Sequence, residues 1–95
     1  MFNFMLQRLD VKVRGLVQGV FFRYAAKEKA RQLGIKGWVK NLPDSSVQIS
    51  AEGESEDLKK FLDWCRKGPS GARVEKVEYE FNNNFEGFDD FEIVC

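Results

Sequence analysis

The feature that most constrains the fold is a change of hydrophobic period in the first third of the chain. Leu9, Val11 and Val13 alternate with polar and charged residues, which is typical of a strand with one face on a core. After Gly15 and Gly19 the apolar residues recur at helical spacing instead. These apolar residues are Phe22, Ala25, Ala26, Ala30 and Leu33. The pattern therefore predicts a strand that turns through a glycine loop into a helix.

The rest of the chain repeats this alternation of strand and helix. Four more segments of alternating polarity predict strands, and the first two of them form a hairpin. The segments cover residues 35–40, 47–52, 74–81 and 91–95. Between the hairpin and the fourth strand, a run with helical spacing predicts a second amphipathic helix. Its apolar residues are Leu58, Phe61, Leu62 and Cys65.

The predicted order is β-α-β-β-α-β with a short extra strand at the C-terminus. An order of this kind favours an α+β, ferredoxin-like sandwich, in which two helices lie on one face of a mostly antiparallel sheet. The composition indicates no linker and no low-complexity segment. We therefore expect one domain over residues 1–95.

The charge balance and the absence of histidine exclude several classes of function. Lys and Arg together number 15, as do Asp and Glu, so the net charge is zero and bulk attraction to nucleic acid is not expected. The chain contains no His, which is the usual imidazole base and a common metal ligand. We therefore expect no metal site and no nucleophile that depends on a histidine partner.

An RNA-binding sheet is an alternative for a ferredoxin-like fold, because such sheets stack bases on aromatic side chains. The predicted central strands, however, carry aliphatic residues at their apolar positions. We therefore expect no nucleic-acid partner, and we expect the aromatic residues in the core. Met1–Leu6 is apolar but shorter than a signal-peptide core, and no apolar run approaches about 20 residues. The expected protein is cytoplasmic and does not associate with a membrane.

The loop from Gly15 to Arg23 has two interpretations. In the functional one, backbone N–H groups of residues 18–23 surround a phosphate or carboxylate at the positive end of the helix, and Arg23 adds paired hydrogen bonds. In the structural one, the glycines form an ordinary turn and Arg23 is a surface residue of the helix. Glycine spacing alone does not decide between them.

Asn41, at the end of the second strand, also has two interpretations. An asparagine before Leu42 and Pro43 is a common turn residue. Its strand belongs to the same predicted sheet as the strand before the glycine loop. Its amide could therefore lie near a bound anion, accept a proton of a water molecule and orient that water.

Two segments resemble signatures of the acylphosphatase family, and together the resemblance covers nearly the whole chain from Leu9 onward. The first segment, Val13–Arg23, matches a family signature at each of its fixed positions. A second signature is matched on the predicted hairpin. The matching residues are Gly37, Trp38, Val39, Lys40, Asn41, Val47 and Gly53. Two signatures in the right order on the right elements are highly specific.

The resemblance implies an enzyme that hydrolyses acyl phosphates to a carboxylate and inorganic phosphate, without metal or cofactor. It implies that Arg23 and the backbone amides of the loop hold the phosphoryl group, and that Asn41 orients the attacking water. The residues predicted to bind substrate beside these two are Gly15, Gln18, Gly19, Val20, Phe21 and Phe22. The other expectations are a monomer, a small-molecule acyl phosphate as substrate, and inorganic phosphate as product and inhibitor.

The chain departs from the family pattern at Ser45, where a glycine is common. This position lies in the hairpin turn, where a positive φ is often required, so Ser45 is expected to strain or reshape the turn. The alternative function is that of a domain that binds an acyl or carbamoyl phosphate without catalysis. Such domains occur at the front of larger maturation enzymes among the family's wider relatives.

Overall fold

The computed structural model describes residues 5–95, so the prediction for the first four residues lies outside the described part. Five strands and two helices follow one another in the predicted order. The strands are β1 (Leu6–Leu16), β2 (Lys36–Asn41), β3 (Val47–Glu54), β4 (Arg73–Asn82) and β5 (Phe91–Ile93). The helices are α1 (Phe22–Gln32) and α2 (Ser55–Lys67).

The strands form one sheet in the order β4-β1-β3-β2-β5. Neighbouring strands are antiparallel except for β2 and β5, which are parallel. Because β1 and β2 are both antiparallel to β3, they run in the same direction, and α1 connects them. In the same way α2 connects β3 to β4, which are both antiparallel to β1. This arrangement is the predicted ferredoxin-like α+β fold.

The core lies between the two helices and one face of the sheet. Leu9, Val11 and Val13 of β1 lie opposite aliphatic residues of β3 and are buried. Helix α1 buries Phe22, Ala26 and Ala30, and α2 buries the four residues predicted from its spacing. Burial of a large apolar side chain contributes about 1.5–3 kcal/mol, so this face is the main source of stability.

Strand β1 includes the first two residues of the predicted glycine loop, Gly15 and Leu16. Gly15 therefore lies within β1, at a bulge against β4. Its φ is +131°, and a Cβ atom there would lie 2.1 Å from the carbonyl oxygen of Arg73. Close packing of β1 on β4 thus accounts for this glycine. The loop itself consists of residues 17–21, between Leu16 and Phe22.

The expectation that the aromatic residues belong to the core is correct for only part of the set. Phe22, Phe61 and Phe91 are fully buried. Four others, by contrast, are at least half exposed: Phe21, Tyr24, Tyr79 and Phe85. The spacing patterns of helices and strands treat an aromatic residue as apolar, but they do not show whether its side of the element faces the core. None of the helices within residues 5–95 has the length and apolar character needed to cross a membrane.

Candidate functional site

A cavity of about 290 Å³ lies where the loop between β1 and α1 meets the ends of β2 and β5. Its polar side chains are Arg23, from the first turn of α1, and Asn41, the last residue of β2. The other lining residues are Val17, Gly19, Phe21, Phe22, Tyr24 and Ile93. All of them except Gly19 have apolar or aromatic side chains. The fold thus brings together residues that are far apart in the sequence.

The N-terminus of α1 has no cap from the protein's own side chains. Phe21, in the N-cap position, has a left-handed backbone with a φ of +62°, and no side chain accepts a hydrogen bond from the first helical turn. Gln18 to Phe21 donate no backbone N–H hydrogen bond to a backbone carbonyl of the described residues. Phe22 and Arg23 occupy the first helical positions, whose N–H groups have no partner within a helix. These donors are available to an anion.

Arg23 adds positive charge at this same helix end. It is partly buried, and none of the carboxylates in residues 5–95 lies close enough to form an ion pair with it. No acidic residue occurs in the first turn of α1. A cation beside the positive end of a helix dipole is unfavourable unless an anion is bound there. The charge at this end of α1 therefore suits a bound anion.

Asn41 supplies a polar atom without a partner. It pairs with Val47 in the hairpin, and its Oδ1 atom is buried and accepts no hydrogen bond from the described residues. A buried polar atom without a partner costs about 1–3 kcal/mol. Such an atom at the wall of a cavity is suited to a water molecule or a ligand.

Gln18 connects the loop to the hairpin turn. Its side-chain Nε2 donates one hydrogen bond to the carbonyl oxygen of Leu42 (2.9 Å) and another to that of Ser46 (2.8 Å). These acceptors flank the turn that follows Asn41. The sequence predicted a backbone role for Gln18, and it carried no signal for this contact because the acceptors lie 24 and 28 residues away.

The hairpin turn has the backbone strain that the departure at Ser45 predicted. Ser45 has a φ of +74°. Asp44 accepts hydrogen bonds from the hydroxyl and the backbone N–H of Ser46, and these bonds, together with the nearby charges of Lys12 and Arg14, lower the pKa of Asp44 to about 2. Asp44 also forms ion pairs with Lys12 and Arg14, so the turn is attached to β1 as well as to the loop.

The predicted site residues fall into two groups. Gly19, Phe21, Phe22, Arg23 and Asn41 line the cavity. The others do not line it: Gly15 packs against β4, Gln18 bonds to the turn, and Val20 faces Gly71.

Three lining residues were not predicted as site residues: Val17, Tyr24 and Ile93. Val17 lies within the predicted Gly15–Arg23 loop and Tyr24 directly follows it, whereas Ile93 reaches the cavity only because β5 pairs with β2. Within residues 5–95 there is no group of three or more Cys, Asp or Glu side chains placed to hold a metal ion.

The family model and the relatives described here point to one family. The model of the Acylphosphatase family matches residues 9–93. An acylphosphatase of Geotalea uraniireducens is 48% identical over 86 residues, which is 90% of this chain and 94% of that protein.

Two solved structures are similar over nearly their whole length. The acylphosphatase from Bacillus subtilis superposes with a TM-score of 0.91 at 36% identity, over 96% of this chain and all of that one. An acylphosphatase from Coxiella burnetii has a TM-score of 0.89 at 37% identity, over 94% of this chain and 93% of that one.

Proposed function

Because the chain belongs to the acylphosphatase family, we propose that it hydrolyses acyl phosphates with Arg23 and Asn41 as its catalytic residues. The reaction cleaves the bond between the carboxyl group and the phosphoryl group, and its products are a carboxylate and inorganic phosphate. One observation carries the assignment of residues: a guanidinium and a buried amide oxygen, neither of which has a partner within residues 5–95, line the same cavity.

Arg23 and the backbone donors of the loop hold the phosphoryl oxygens. The N–H groups of Gln18, Gly19, Val20, Phe21 and Phe22 are the proposed backbone donors. Negative charge spreads over the phosphoryl oxygens in the transition state, and fixed donors that meet this charge lower the barrier without having to reorganise. Gly15 is also proposed as a substrate-binding residue, although its contact with Arg73 indicates that it acts through the position of the loop.

Asn41 holds the attacking water. Its side-chain oxygen accepts a hydrogen bond from one O–H of the water, and this orients a lone pair of the water toward phosphorus. Orientation of this kind replaces a strong base in a reaction whose leaving group is already a stable carboxylate. We propose that the second water proton passes to a phosphoryl oxygen of the substrate, and that no metal or cofactor takes part.

The test is the hydrolysis of benzoyl phosphate by the full chain in the presence of a chelator. We expect steady turnover that the chelator does not change, and competitive inhibition by inorganic phosphate. Binding of benzoyl phosphate without turnover would instead support the alternative of a domain that binds acyl or carbamoyl phosphates without catalysis. The three relatives described above are acylphosphatases that match this chain over nearly their whole length, and none of them favours that alternative.

We also propose that the enzyme acts as a cytoplasmic monomer. Size-exclusion chromatography with light scattering measures the oligomeric state, and we expect a mass near the 11.0 kDa of one chain. A stable mass near twice this value would contradict the monomer, and fractionation of cells that express the protein tests its location.

A further inference from the structure

The cavity has room for more than a phosphoryl group. Its volume is about 290 Å³, which is well above the space that a single water molecule needs. Arg23, Asn41 and the loop backbone form its polar side, and they account for the phosphoryl group and the water. The rest of the wall is apolar, so the remaining space suits an apolar group.

Two aromatic side chains stand at this wall and are exposed to an unusual degree. Phe21 is 79% exposed and Tyr24 is 69% exposed, although both line the cavity. Phe21 is the N-cap residue before α1 and Tyr24 lies in its first turn, so both rings are placed at the same end of the helix. An aromatic ring gains nothing in stability from this degree of exposure. Their position fits a role in contact with a ligand.

The backbone at Phe21 supports this interpretation. A left-handed φ of +62° is costly for a residue with a Cβ atom, on the order of 1–2 kcal/mol, and glycine would adopt it without that cost. A large aromatic residue nevertheless occupies the position. Ile93, from β5, adds a branched aliphatic side chain to the lining of the same cavity.

The charges of the cavity restrict the ligand further. Arg23 is the one charged side chain among the described residues that line it. No second cation is present for an additional anionic group, and no carboxylate is present for an amine. An acyl group with a charge of its own therefore has no partner among these lining residues, whereas an uncharged apolar group has five apolar or aromatic side chains to contact.

We propose that Phe21, Tyr24 and Ile93 form a binding subsite for the acyl group and select acyl phosphates whose acyl group is uncharged and apolar, with a planar aromatic ring favoured. This inference rests on the proposed hydrolysis of acyl phosphates and adds the class of acyl group. Aromatic contacts contribute about 0.5–1.5 kcal/mol each, which corresponds to a selectivity of roughly 2- to 12-fold per contact.

The experiment compares kcat/KM for benzoyl phosphate, acetyl phosphate and succinyl phosphate. In the unaltered chain we expect benzoyl phosphate to be the best substrate and succinyl phosphate, with its extra negative charge, the poorest. Tyr24→Ala is expected to lower the ratio of benzoyl to acetyl phosphate about 3- to 10-fold, and Tyr24→Phe to retain it. Phe21→Asn, which tolerates the left-handed backbone, is expected to lower the ratio by a similar factor.

Phe85→Ala is the matched control, because Phe85 is a half-exposed phenylalanine that does not line this cavity. It should leave the substrate ratio unchanged. Equal ratios in Tyr24→Ala, Phe21→Asn and the unaltered chain would overturn the subsite while leaving the hydrolysis intact. A preference for succinyl phosphate would also overturn it.

A binding measurement separates the subsite from catalysis. Calorimetric titration with phenylphosphonate and methylphosphonate compares an aromatic and a small group on the same anion. We expect phenylphosphonate to bind about 3- to 10-fold more tightly, and Tyr24→Ala to remove the difference. If no acyl phosphate is hydrolysed, the proposed function fails. Equal affinity for the two phosphonates would then show that the subsite fails independently.

Discussion

The N-terminal turns of the two helices carry charged side chains of opposite sign. Helix α2 begins with Glu56 and Asp57 in its first turn, and these carboxylates complement the positive end of its dipole. Helix α1 has no acidic residue there and carries Arg23 instead. Neither helix has a side-chain cap. The protein therefore neutralises the start of α2 with its own carboxylates, whereas the first turn of α1 has none.

The backbone is strained before α1 but not before α2. Phe21 and Ser45 are the non-glycine residues with positive φ within residues 5–95. One precedes α1 and the other lies in the hairpin turn beside Asn41. The start of α2, by contrast, has an extended residue, Glu54, in its N-cap position. Among the described residues, both strained non-glycine positions thus lie next to a candidate site residue, one before Phe22 and one in the turn after Asn41, as is common near functional sites.

The strongest test of this contrast is Arg23→Ala. We expect turnover of benzoyl phosphate to fall by about 10²- to 10³-fold, because a fixed donor to the transition state is lost, and inhibition by inorganic phosphate to weaken as well. Arg66→Ala, which removes an exposed arginine from α2, is the control and should retain activity. Full turnover in Arg23→Ala would remove the proposed difference between the helix ends.

Asn41→Ala tests whether Asn41 orients the attacking water or binds the anion. We expect turnover to fall by about 10²-fold, since a misplaced nucleophile reacts slowly, while the affinity for phosphate stays near that of the unaltered chain. Steady-state kinetics with phosphate as inhibitor measures both quantities. A parallel loss of turnover and phosphate affinity would reassign Asn41 to anion binding or to folding.

Gln18→Ala tests whether the loop and the hairpin turn must be joined. The substitution removes two hydrogen bonds and should lower the free energy of unfolding by about 1–2 kcal/mol. Because the turn follows Asn41, we also expect turnover to fall by about 10-fold. Urea unfolding and the benzoyl phosphate assay measure the two effects. Gln48→Ala, on the sheet, is the control, and an equal effect there would contradict a specific role for Gln18.

Ser45→Gly tests the backbone strain in the hairpin turn. Relief of the left-handed backbone favours the variant by about 1–2 kcal/mol, and the greater freedom of glycine in the unfolded chain offsets about 0.5–1 kcal/mol of this. We expect a net stabilisation of about 0.5–1 kcal/mol in urea unfolding. A clear loss of stability would mean that the Ser45 side chain stabilises the turn.

Exchanging the charges at the helix ends gives the smallest expected changes in stability and the most direct comparison. Arg23→Glu should stabilise the fold by about 0.3–1 kcal/mol at low salt, because it gives α1 the charge pattern of α2, while it abolishes turnover. Glu56→Arg should destabilise the fold by a similar amount and leave turnover unchanged. Added salt should reduce both stability changes, and a change that persists at high salt would argue against a dipole effect.

Much of the fold follows from local patterns. The alternation of Leu9, Val11 and Val13 and the helical spacing of the two amphipathic segments predicted the order of elements and most of the core. The strand ends were less predictable, because pairing with β4 extends β1 through Gly15 to Leu16. Local polarity carries no information on how long a partner strand continues.

The candidate site was predictable where its residues share one segment or one signature. Arg23 and Asn41 were named from the sequence, and they line the same cavity. Ile93 could not be named, since its place depends on the parallel pairing of β5 with β2. The general expectation of buried aromatic residues was wrong for Phe21 and Tyr24, and neither of them belongs to the apolar positions that the helical spacing identifies.

The sequence by itself determined the alternation of strands and helices, the glycine loop, and the absence of any histidine that could act as a base. Only the tertiary structure decided which atoms face one another. It brought the end of β2 to the start of α1, joined Gln18 to carbonyl groups 24 and 28 residues away, and left the aromatic rings of Phe21 and Tyr24 at the cavity. The reason is physical: periodicity reports which side of an element is apolar, whereas contacts between elements depend on how those sides pack.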